Sequence, residues 1–210
     1  MPRQVDHGGG AMTWWSPLPV TAVVAILLFV GKEALEFIRR VQGDRRKRRA
    51  LKDLLARECE LNLWVVTSLR RIFDRLRASA EPGARLKVAV SHRAGGRPYA
   101  RFFSETGGLD TQVGIPRPHR ELMSRFLLDV ATLDRDLFDH VEPAYEALAR
   151  LEHLRETLVN ADEEAALVGE DQDLGALARH ALVQLSRAEA ALGALYRHCT
   201  GQPLVPLSMP

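Results

Sequence analysis

The sequence predicts an all-α protein: an N-terminal single transmembrane helix followed by a cytoplasmic antiparallel helical bundle with a short inserted hairpin or irregular lid. Three observations carry this. Residues 14–31 form an uncharged apolar run, three long later segments repeat apolar residues every three or four positions, and a glycine-bearing segment of different composition separates the first of these from the second. Composition narrows the class further. With 210 residues, 46% of them hydrophobic and 27% charged, the chain suits one globular domain with an appendage, and collagen-like, disordered and disulfide-scaffold classes fall away. The two cysteines, Cys59 and Cys199, lack neighbouring ligands at zinc spacing, so no metal and no cofactor is expected.

Residues 1–13 read as a short extracytoplasmic tail. The run WWSPLPVTAVVAILLFVG over residues 14–31 reaches about 27 Å as a helix, close to the hydrocarbon thickness of about 30 Å. Trp14 and Trp15 suit the headgroup layer, and Pro17 and Pro19 suit a helix start. A cleaved signal peptide fits less well, because Arg3 is the only cation upstream, Asp6 offsets it, and no small-residue cleavage site follows Val30. Residues 32–57 form a basic juxtamembrane helix. Nine cations lie between residues 39 and 57, against Asp44 and Asp53, which places the N-terminus outside and the C-terminal domain in the cytoplasm. Arg39, Arg40, Arg45, Arg46, Lys47, Arg48, Arg49 and Lys52 are the candidate contacts to anionic lipids.

The cytoplasmic bundle is expected over residues 58–200. Leu51, Leu55, Cys59, Val66, Leu69, Phe73 and Leu76 mark one buried stripe on a proline-free helix, and Asn62 falls on that stripe one turn after Glu58. Asn62 and Glu58 are read as a hydrogen-bonded pair in or beside the core. Glu81, Pro82 and Gly83 end the helix and open a lid over residues 82–117. Alternation from Leu86 to Ser91, a turn at Ala94, Gly95 and Gly96, and a return from Tyr99 to Phe103 suggest a short hairpin, with Gly107, Gly108 and Gly114 keeping the remainder irregular.

Pro116 and Pro118 open a second helix whose stripe runs from Leu122 through Leu158, with Pro143 expected to kink or divide it. Residues 161–173 carry six carboxylates and no cation, and Asp173 is a candidate N-cap for a last helix striped from Leu174 to Cys199. Gly201 and Pro203 end that helix, and residues 201–210 form a tail. Charge is strongly polarised. Residues 32–101 hold 19 Lys or Arg against 8 Asp or Glu, a net of +11, and residues 121–173 hold 4 against 15, a net of −11.

Several chemistries are excluded by spacing. No phosphate-binding loop, G-x-G-x-x-G, G-x-S-x-G or H-E-x-x-H pattern occurs, and no histidine follows a glutamate at the spacing a di-iron bundle uses. The stretch from Arg135 to His140 resembles the R-x4-6-H signature of HEPN-type ribonucleases. That resemblance implies RNA cleavage by Arg135 and His140 at a helical dimer interface. It covers six residues, and 25 arginines with 7 histidines supply about two or three such spacings by chance. The chain holds two, the other from Arg85 to His92, and Asp134, Asp136, Asp139 and Glu142 disfavour a phosphate backbone.

Arg93, Arg97, Tyr99 and Arg101 in the lid are the ligand candidates, because cations interleaved with aromatics bind nucleotides or single strands by stacking and phosphate contact. The competing explanation is a lid whose aromatics cap the bundle. The sequence therefore favours a single-pass, membrane-anchored binding, scaffolding or regulatory module over an enzyme. Its expected partners are the membrane, anionic lipids and a protein, which could be a second copy of itself. The alternative is a membrane-tethered nucleic-acid or nucleotide effector, although nucleic acid is disfavoured by the acidic surroundings of Arg135 and His140.

Overall fold

The computed structural model describes residues 20–80, 86–92, 96–104, 108–168 and 174–205. Four helices and three strands follow in the order α1 Val20–Ser79, β1 Leu86–His92, β2 Pro98–Ser104, β3 Leu109–Gly114, α2 Glu121–Leu133, α3 Arg135–Val168 and α4 Leu174–Thr200. The protein is mostly helical, as its periodicities predict. Its contacts divide it into two compact units, Met1–Arg45 and Arg46–Pro210. The described part of the first unit is helical throughout. No helix among the described residues is long and apolar enough to cross a membrane. Residues 14–19 of the expected span lie outside the described residues.

The second unit is built around one hydrophobic core. From α1 it takes Leu55, Cys59, Val66, Leu69, Phe73 and Leu76, and it adds Val130 of α2, Leu148 and Leu151 of α3, and Leu185 and Leu192 of α4. These are stripe positions, and burying each stripe against the others is what removes their apolar surface from water. Alanines 178, 181 and 188 of α4 are also fully buried, and their small side chains let backbones approach closely. Gly201 ends α4 in the left-handed region, φ +75°, with its N–H donating to the Arg197 carbonyl at 2.8 Å.

Two expectations are corrected. The expected division at Pro143 occurs instead at Asp134, between α2 and α3. Asp134 is extended, its N–H closes α2 on the Val130 carbonyl at 2.9 Å, and its Oδ1 accepts the Leu137 N–H at 3.1 Å, capping α3. Pro143 stays inside α3 on an exposed position, one turn after exposed Asp139, so water can reach the carbonyl that proline cannot bond. The lid is likewise more regular than a hairpin. β1, β2 and β3 make an antiparallel sheet in that order, with Val88 opposite Phe102, Val90 opposite Ala100, and Ala100 opposite Val113. That shared face packs on the core. Leu109, Thr111 and Val113 alternate with polar residues, and this period-two signal outweighs the glycines on either side.

Candidate functional site

In the first unit, α1 carries Ile26, Leu27, Leu28, Phe29 and Val30 at 55–70% exposure, followed by exposed Leu35 and Phe37. These positions are consecutive, so they surround the helix instead of forming one stripe. A helix apolar on all sides belongs in a nonaqueous environment or against partners. Arg39, Arg40 and Arg45 follow, all exposed. In the second unit Arg46, Lys47, Arg48 and Arg49 are exposed as well, whereas Lys52 is half-buried, with Nζ 3.2 Å from His198 Nε2. Lys52 is thus occupied inside the bundle and stands apart from the other lipid candidates.

Glu58 and Asn62 are both buried and do form a polar pair, but their main partners lie far along the chain. Asn62 Nδ2 donates to the carbonyls of Glu58 and His119, while its Oδ1 accepts the His119 N–H at 2.8 Å. Glu58 caps α2 from a neighbouring helix: Oε1 and Oε2 accept the Leu122 and Met123 N–H groups at 3.0 and 2.8 Å. Arg120, at the N-cap position, makes no side-chain cap itself. Burial pushes the Glu58 carboxyl above its ordinary value of 4.5, outweighing the two N–H bonds and nearby His119.

Beside this node, buried Glu152 holds two guanidiniums, Arg117 Nη2 at 2.6 Å and Arg120 Nη2 at 2.6 Å. Arg120 also lies over the Tyr145 ring, 5.7 Å from its centroid. These four residues, with Glu121, line an open cleft of about 530 Å³. Arg117 and Arg120 are paired with Glu152 of the same wall. The sequence offered no signal for this network, since Arg117 and Glu152 are 35 positions apart.

The lid residues are engaged with one another. Tyr99 is buried, and its hydroxyl accepts a 2.6 Å bond from Arg101 Nη2, whose guanidinium stands 5.1 Å from the same ring. Phe102 is completely buried under Arg75, 5.3 Å away. Arg97 is exposed, and Arg93 lies outside the described residues.

Arg135 is the first residue of α3 and is exposed. His140 sits on the next turn, where its ring stacks on His198 with centroids 4.5 Å apart and its Nδ1 lies 2.8 Å from the Asp136 carbonyl. Of the second R-x4-6-H spacing, His92 is exposed and Arg85 lies outside the described residues. The contact of His140 with His198, 58 positions later, was invisible to motif reading. Among the described residues no three His, Cys, Asp or Glu side chains group to hold a metal ion. No family model, curated protein or solved structure matches the chain.

Proposed function

We propose that the chain is a single-pass, membrane-anchored module whose helical bundle binds or scaffolds a partner at the cytoplasmic face. The observation that carries this is the all-round exposure of the apolar side chains from Ile26 to Val30, continued toward the N-terminus by the uncharged sequence of residues 14–25. In water those surfaces have no counterpart, whereas hydrocarbon accepts them on every side. The exposed cations beginning at Arg39 supply the positive-inside signal and a contact for anionic headgroups. The nucleic-acid alternative draws less support. Its stacking residue Tyr99 is buried, and Arg101 is spent on the Tyr99 hydroxyl.

Membrane fractions decide the anchoring. The full chain is expected to stay in the pellet through alkaline carbonate and to dissolve in mild detergent, and a reporter fused after Pro210 is expected to be protected from protease added outside intact cells. Release by carbonate alone would remove the anchor, and outside digestion of the reporter would reverse the orientation.

A further inference from the structure

Three side chains from three helices meet at one end of the bundle. Lys52 of α1 places Nζ 3.2 Å from His198 Nε2 of α4, and the His198 ring stacks on His140 of α3 with centroids 4.5 Å apart and planes 30° from parallel. Chemistry assigns the protons. An ammonium only donates, so His198 Nε2 accepts, which a doubly protonated imidazolium cannot do. A carbonyl only accepts, so His140 Nδ1 donates its proton to the Asp136 carbonyl at 2.8 Å. The contact is therefore specific to neutral His198.

We propose that Lys52, His198 and His140 form an acid-sensitive latch, in which protonation of His198 abolishes the bond from Lys52 and loosens the last turn of α4 on α1, where the Tyr196 hydroxyl still donates to Glu60 Oε1 at 3.3 Å. A proton on Nε2 would set donor against donor and place two cations in contact beside a second imidazole. The other groups facing the stack do not supply a replacement acceptor in contact with Nε2. Asp134 and Asp136 pull toward protonation, but Oδ1 of Asp134 is already engaged by the Leu137 N–H. The Cys199 thiol, with Asp53 nearby, is pushed by burial up to about 11 and stays neutral. Burial, then Lys52 and His140, hold His198 below its ordinary value of 6.5. The sign follows from this depression: the unfolded chain takes up the proton first, so the latch contributes stability at neutral pH and loses it as pH falls below 6.5 through the folded value.

The test uses the full chain in detergent micelles, with histidine-selective NMR titration and amide exchange read at the end of α4. His198 is expected to titrate below 6.5 and to move upward in Lys52→Met, where the neighbouring charge is gone. Exchange around Leu195 to Thr200, corrected for its intrinsic pH dependence, is expected to speed up several-fold on acidification in the parent and to stay level in His198→Gln. The amide oxygen of that variant still accepts from Lys52 but does not titrate. A parent His198 titrating at or above 6.5, or equal acceleration in His198→Gln, would overturn the latch. Should His198→Gln not fold, the Lys52→Met titration decides alone: an unmoved His198 would overturn it.

Discussion

Single residues in this protein are decided by whom they face across the fold. Glu58 lies on the buried side of α1, yet its carboxylate serves the first N–H groups of α2, 64 and 65 positions later. Glu58→Ala strands the buried Met123 N–H and the half-buried Leu122 N–H, and a buried unsatisfied group typically costs about 1–3 kcal/mol. The pH dependence has a definite sign. Because burial raises the folded carboxyl above 4.5, its contribution is fully present below 4.5 and is lost as pH rises through the raised value. Denaturation of the parent and Glu58→Ala, compared at about pH 4.5 and about pH 7.5 so that shared titrations cancel, should show the larger gap at the acidic end. A gap that grows toward neutral pH would mean that the N–H bonds outweigh burial.

At the scale of elements, the sheet behaves as part of the core. Phe102 and Ala100 of β2 are fully buried, and Val88, Val90 and Val113 flank them on the same face. Phe102→Ala should lower stability by about 3–5 kcal/mol, the usual loss for a buried phenyl ring. Arg97→Ala, on an exposed position, should change it by within about 0.5 kcal/mol. Thermal melts distinguish the two, and an unaltered melt in Phe102→Ala would detach the sheet from the core. The third strand was legible in the alternation of Leu109, Thr111 and Val113, but the surrounding glycines masked it. The boundary between α2 and α3 was legible too, because Asp134 precedes Leu137 by three residues as an N-cap should, but Pro143 is the stronger helix-breaking signal in the same segment. Proline is tolerated there because it lies on an exposed face, and exposure is a tertiary property.

For the molecule as a whole, the dominant features are the exposed apolar helix and the polarised charge, +11 over residues 32–101 and −11 over residues 121–173. A peptide of residues 33–57 should bind vesicles containing anionic lipid and release as salt rises. Each cation near such a surface is worth about 1 kcal/mol and is screened over a Debye length. Replacing Arg45, Arg46, Lys47, Arg48 and Arg49 together should remove most of that binding in a vesicle co-sedimentation assay. Equal binding to neutral vesicles would show that apolar contact, not charge, drives it.

The sequence by itself determined the mostly helical class, the buried stripes and the position of the charges, because periodicity and composition are local and repeat many times along each element. Leu55 through Leu76 and Leu185 through Leu195 are buried at the spacing that hydrophobic periodicity requires. The tertiary structure alone decided the polar pairings. Glu58 with the start of α2, Glu152 with Arg117 and Arg120, and Lys52 with His198 join positions 32 to 146 apart. A single polar contact leaves no repeating pattern. It depends on how helices are rotated and shifted against one another, and that arrangement is set by the packing of the whole core.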